Sequence, residues 1–222
     1  MANTSKATGW LRDLVNARYS LWFGGSETLR VNSSTVTLLS GKTLDLSSGT
    51  VTLPTRSAFV DLEPFLLGAD GAALAATETA GDFFRPVGTN QVWIQGEESI
   101  SETEASVGYA TLILPENYVS GGTITLSAYS DLIGAGTPGT CTIDFSAYLM
   151  STTAGTVGSD LVTTNATAVT STGAAKDFTV TPTGLVAGDK LIVKMTSSIA
   201  ESGGSALAIA VYKLGATVQV NK

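Results

Sequence analysis

An all-β fold is what the sequence predicts, and three features predict it. From about residue 90 onward, short segments alternate apolar and polar residues over strand length, as in VGYATLIL, TITLSAYS, KLIVKMTSSI and ALAIAVYKL. Turn residues separate them at Ser120-Gly121-Gly122, Gly134–Gly139 with Pro138, Ala187-Gly188-Asp189 and Ser202-Gly203-Gly204. Nearer the N-terminus, the apolar pairs Leu29/Val31, Val36/Leu38, Leu44/Leu46 and Val51/Leu53 begin at residues 29, 36, 44 and 51. Spacing by two puts both members of a pair on one face of a strand.

Composition agrees with a packed or assembled protein. The 222 residues are 43 % hydrophobic and only 14 % charged, and Ser, Thr and Gly replace the missing charge. An average soluble domain carries about 25 % charged residues. The net charge of −7 gives nucleic acid and anionic membranes no reason to attract the chain as a whole. A single cysteine, Cys141, excludes an intrachain disulfide framework and reads as a small buried hydrophobe within TCTIDF. Histidine is absent, which removes Ser-His-Asp and Cys-His catalysis and the commonest transition-metal ligand.

Taken in order, residues 1–7 are small and polar. Thr8 is placed to cap a short helix in which Trp10, Leu11, Leu14, Val15 and Arg18 follow at helical spacing. That helix either packs on its own domain or inserts Trp10 and Leu14 into a partner's groove. Arg12, Asp13, Asn16 and Arg18 interrupt any apolar run long enough for a secretory signal or a membrane span, so the expectation is a chain made in a cytoplasm. Tyr19, Leu21, Trp22 and Phe23 then form a dense aromatic junction ending at Gly24-Gly25.

Residues 26–55 are the serial short strands. Two apolar side chains per strand leave little for a single-chain core, since an isolated hairpin is marginal in water. Three copies wound about a common axis would bury the Leu and Val edges, and a small sheet lying on the C-terminal domain is the other solution. The expected organisation is therefore an N-terminal arm and stalk over 1–55, a connector over 56–90 with one or two short strands, and a head over 91–222. Pro64 and Pro86 interrupt any long element in the connector. In the head, about eight strands in about 130 residues fit an antiparallel β-sandwich, jelly-roll-like in topology. ALAIAVYKL and GATVQV read as two strands, and 151–175 as weak edge strands or a loop.

The polar residues offer few candidates for chemistry. Glu97, Glu98, Glu102 and Glu104 cluster in GEESISETEAS, but the Asp/Asn/Gly pattern of a calcium loop is missing, and a solvated acidic loop is the plainer reading. Nothing in the spacing makes Glu98 and Glu102 a facing acid/base pair. Asp144, Asp177 and Lys194 read as solvent-face strand positions. Ser40-Gly41-Lys42-Thr43 lacks the first glycine of a phosphate loop and reads as a turn. No catalytic, cofactor or metal site emerges, and the expectation is a non-enzyme.

The serial strands LxV, VTL, LDL and VTLP over 29–54 and the stretch DFTVTPTGLVAGDKLIVKMTSS over 177–198 carry a resemblance. The chain resembles tailed-bacteriophage virion proteins of the capsid decoration (cement) and short head-fibre kind. The first stretch is similar to the intertwined β-segments of trimeric phage fibres, the second to TGL-x-AGD-x-L-x-V segments of decoration and fibre domains. The resemblance implies a homotrimer on the capsid surface of a virion, with an N-terminal stalk or anchor, an exposed sandwich head, the major capsid protein or another virion protein as partner, and no catalytic residues. On that reading Trp10, Leu14, Trp22 and Phe23 contact the capsid, while Leu29, Val31, Val36, Leu38, Leu44, Leu46, Val51 and Leu53 form the trimer interface. The alternative is a tail-fibre or adhesin-type module that binds a host-surface glycan or receptor. For it, Trp93, Tyr109, Tyr118, Tyr129 and Tyr148 are the aromatics available to stack on sugars.

Overall fold

The computed structural model describes residues 9–13, 18–23, 26–31 and 36–38 as backbone strands, and residues 54–62, 67–68, 70–86, 93–150 and 158–221 in full. The chain divides into two compact units, Met1–Thr52 and Leu53–Lys222.

In the first unit, β1 (Gly9–Asp13), β2 (Arg18–Phe23), β3 (Ser26–Val31) and β4 (Val36–Leu38) form an antiparallel meander in that order. The helix expected from Thr8 to Arg18 is corrected: Gly9–Asp13 pairs as a strand with Arg18–Phe23, Trp10 opposite Leu21 and Gly9 opposite Trp22. A helix of about a dozen residues is marginal without tertiary contacts. The aromatic-rich run after it favours a strand and supplies the pairing partner. Of the expected capsid-contact residues, Trp10 lies on β1, Trp22 and Phe23 lie on β2, and Leu14 falls outside the described residues. Two of the four apolar pairs are found on strands, and these pair within one chain, Leu29 opposite Leu38 and Val31 opposite Val36. Leu44, Leu46, Val51 and Leu53 lie outside the described residues.

The second unit is a β-sandwich of two antiparallel sheets. One sheet has the order β10 (Thr167–Ala168), β9 (Thr142–Leu149), β12 (Lys190–Ala200), β7 (Thr103–Ile113). The other runs β11 (Ala174–Val180), β8 (Ile124–Gly134), β13 (Leu207–Asn221), β5 (Thr55–Asp61), and the short β6 (Ile94–Gln95) also pairs with β13. Thr55–Asp61, expected at the edge of a connector, is thus a strand of the sandwich, held along the C-terminal half of β13 from Gly215 to Asn221.

Alternation builds the core. Leu191, Val193 and Met195 of β12 turn inward, as do Ile124, Leu126 and Ala128 of β8. Phe145 on one sheet meets Phe178 on the other with ring centroids 4.9 Å apart, edge to face, which ties the layers together. Each fully buried Leu, Val or Phe contributes about 1.5–3 kcal/mol. Cys141 is buried and free, the small hydrophobe the sequence suggested.

The longest strand differs from the sequence reading. ALAIAVYKL and GATVQV are one strand, β13, broken only by a bulge between Val211 and Lys213. Before the bulge, Leu207, Ile209 and Val211 face the core; after it, Leu214, Ala216, Val218 and Val220 do. Gly215 does not end the strand, because its missing side chain makes room for a ring from the neighbouring strand.

Candidate functional site

The bulge in β13 creates the site. An extra residue in one strand leaves two residues facing one on the partner, and it re-aims side chains. Here Val211 pairs with Ser130 and Lys213 with Tyr129, so Tyr212 is the extra residue. Tyr212 and Lys213 are consecutive, yet both are exposed on the outer face of the β11-β8-β13-β5 sheet.

Tyr212 becomes the middle of an aromatic arc. Its ring lies 5.8 Å from Trp93 at 60° and 6.3 Å from Tyr129 at 66°. Each neighbour is fixed by a hydrogen bond: Trp93 Nε1 donates to Gln95 Oε1 at 3.3 Å, and the Tyr129 hydroxyl donates to the Gly173 carbonyl at 2.9 Å. Gln95, itself buried, passes the contact on by donating from Nε2 to Glu98 Oε1. Tyr129 is 43 % and Tyr212 37 % exposed, so ring faces are available to a ligand while the ring positions are set. Burial, then the charge of Asp131 and then Tyr129, hold the Tyr212 hydroxyl above the usual tyrosine range, so it stays a neutral donor and acceptor.

Beside the arc lies a groove of about 260 Å³ lined by Phe59, Ser127, Tyr129, Asp177, Lys213 and Thr217. Phe59, 48 % exposed, lies across Gly215, and the Lys213 ammonium sits 4.5 Å from the centre of its ring. Asp177 and Ser127 are opposite each other in register, and the Ser127 hydroxyl donates to Asp177 Oδ1 at 2.6 Å. The other carboxylate oxygen and the Ser127 lone pairs remain as hydrogen-bonding capacity on the groove floor. Apolar ring faces beside a carboxylate, hydroxyls and an ammonium suit a ligand with hydroxyl edges and C–H faces.

The sequence-selected aromatics divide three ways. Trp93 and Tyr129 belong to this arc. Tyr118 is corrected to a core residue: it is 4 % exposed, its hydroxyl donates to the Gly122 carbonyl at 2.7 Å, and burial raises its pKa, with Asp189 adding to the shift. Tyr109 and Tyr148 lie on the outer face of the opposite sheet, diagonal across Ile192 and Lys194 of β12. They line a depression of about 310 Å³, which shares Tyr109 and Ile192 with another of about 450 Å³ lined by Leu67, Met150 and Thr111. The larger of the two is mainly apolar, with Leu67, Ala110, Met150 and Ile192 in its lining, whereas the smaller carries Tyr109, Tyr148 and Lys194 and is a second face with rings and polar groups.

The sequence alone assigns no functional role to Tyr212, Lys213 or Phe59, and it makes Asp177 a plain solvent-face position. One signal was present: apolar residues recur every second position through Leu207, Ile209 and Val211, then skip two residues to Leu214. That gap marks a bulge.

The acidic run does structural work. Glu97 Oε2 accepts from the Gly81 amide, and Glu78 Oε1 accepts from the Glu98 amide. The neighbouring charge of Glu97 is the first cause of a raised Glu104 pKa. Among the described residues no group of three or more His, Cys, Asp or Glu is placed to hold a metal ion. A further carboxylate, Glu201, is 4 % exposed and accepts from the backbone amides of Ser101, Thr137, Gly203 and Gly204, tying three loops at one end of the sandwich.

No family model matches the chain, and no curated protein matches it. Among solved structures it is similar to TmCBM61 in complex with β-1,4-galactotriose, at 13 % identity over 76 % of this chain and 89 % of that one, with a TM-score of 0.30. It is also similar to the CBM22-1 xylan-binding domain of Paenibacillus barcinonensis Xyn10C, at 13 % identity over 66 % of this chain and 99 % of that one, with a TM-score of 0.31. Likeness at this level bears on neither ligand nor activity, which must come from the chain's own residues.

Proposed function

We propose that the sandwich is a non-catalytic glycan-binding module of adhesin or fibre type, and that the outer face of the β11-β8-β13-β5 sheet is its ligand surface. The observation that carries this reading is the bulge at Tyr212. It turns two adjacent side chains outward, completing the Trp93–Tyr212–Tyr129 arc and placing Lys213 over Phe59 beside the groove. Aromatic faces take the C–H faces of a sugar, and Asp177, Ser127 and Thr217 take its hydroxyls. The rings are inclined to one another, which fits a single twisted chain or a branched terminus rather than a flat crystalline surface. The test is a glycan array probed with the full chain and with Tyr212→Ala. Binding of a defined glycan set that the variant loses supports the reading; no binding to any glycan at high protein concentration overturns it.

A second reading concerns the first unit and is compatible with the first. Met1–Thr52 is a compact unit of its own, and its described strands form one short meander. A single sheet of three to six residues per strand buries its apolar face only against another layer. Self-association as a homotrimer, or seating on a capsid protein, supplies one and matches the resemblance to phage virion proteins. Native mass measurement of the full chain tests it: a trimer that becomes monomeric when residues 1–52 are removed supports it, and a monomeric full chain that fails to attach to virus particles removes it.

A further inference from the structure

The charges around the groove say which glycans it takes. We infer that the ligand is an uncharged glycan, read through a pair of its hydroxyls by Asp177, and that glycans bearing uronic or sialic acids are excluded. This rests on the glycan-binding reading and specifies its substrate class.

Asp177 lies on the groove floor, with Oδ1 already engaged by the Ser127 hydroxyl. The carboxylate then has lone pairs left on Oδ2 and no proton to give, so it accepts from hydroxyls and repels another carboxylate. A further carboxylate shares the sheet face. Asp131, two residues along β8 from Tyr129, is close enough to Tyr212 to push up its pKa. Against Asp177 and Asp131 stands Lys213, whose ammonium is placed over the Phe59 ring. Its position between ring and groove suits a bond to a sugar hydroxyl, and its single positive charge does not reverse the sign of the face. The whole chain, at −7, adds long-range repulsion of anions.

The experiment measures affinity of the full chain for matched neutral and acidic ligands: lactose against sialyllactose, and galacto-oligosaccharide against oligogalacturonate. The expected result is tighter binding of the neutral member by about tenfold or more at low salt. The ratio should shrink on raising the salt and in the variant Asp131→Asn, which removes a charge but keeps an acceptor for the Leu132 amide that Asp131 Oδ1 now receives. Equal or tighter binding of the acidic members overturns the inference and leaves the glycan-binding reading standing. Absence of binding to every glycan on a broad array overturns that parent reading, and the inference with it.

Discussion

The ring of Phe59 lies across Gly215, two strands meeting where one has no side chain. A Cβ built on Gly215 would sit 2.1 Å from Phe59 Cζ and 2.8 Å from the Val60 carbonyl oxygen. The glycine in the middle of β13 is therefore a seat for the ring, and the ring in turn holds the Lys213 ammonium at 4.5 Å. Glycine in a strand interior often marks such a close approach.

Gly215→Ala should lift Phe59 off the sheet and strain the β5–β13 pairing. The expected cost is about 1–3 kcal/mol, the range for overfilling a packed position. Urea denaturation measures it. Glycan affinity should fall in the same variant, because the groove wall and the lysine move together. A variant as stable as the parent with unchanged affinity would mean that the ring has another seat.

Deletion of Tyr212 separates fold from function. Without it, β13 reads Val211 inward, Lys213 outward and Leu214 inward, so regular alternation with β8 is restored across the bulge. The deletion variant should fold, losing about 1 kcal/mol of aromatic contact with Trp93 and Tyr129. Ligand affinity should drop by about tenfold or more. Circular dichroism melting and calorimetric titration read the two effects apart. If the deletion unfolds the sandwich, the bulge serves the fold itself.

How much of this was legible beforehand follows from the same residues. Strands such as Lys190–Ala200 announce themselves because every second residue is apolar and enters one core. The bulge hid the site, since a strand that changes parity at Tyr212 looks like two strands with a turn at Gly215. Tyr118 could not be told from Tyr129 by type, since only packing decides whether a tyrosine on a β-rich segment is 4 % or 43 % exposed. Gly9–Asp13 lies in a segment with a helical stripe, yet it is a strand because Arg18–Phe23 stands beside it to pair with.

Glu201 makes the sandwich sensitive to acid. Backbone amides of Ser101, Thr137, Gly203 and Gly204 lower its pKa to about 2 against an ordinary 4.5, outweighing the effect of burial, which acts in the opposite direction. A carboxyl whose folded-state pKa is depressed contributes stability that is complete above the ordinary value and disappears as pH falls through the folded one. Glu201→Gln should therefore lower the melting temperature at neutral pH, since an amide nitrogen would then face backbone donors. The gap between variant and parent should close as pH approaches 2. Melting curves across that range check the sign; a gap that widens on acidification contradicts it.

Ser130 offers the opposite kind of variant. It is fully buried on the inner side of β8, opposite Val211 at the step before the bulge, and its hydroxyl has no hydrogen-bond partner among the described residues. A buried hydroxyl left unpaired costs about 1–3 kcal/mol of desolvation, whereas an alanine in its place removes the group and leaves only a small void. Ser130→Ala should raise stability by about 1 kcal/mol, a shift of a few degrees in Tm. Ser130→Val fills the void but adds a methyl group beside Ala174 and Val211, its partners in register, and it should gain less or lose. If Ser130→Ala is instead destabilising, the hydroxyl is satisfied by an internal water, and a high-resolution crystal structure would place that water between Ser130 and the bulged strand.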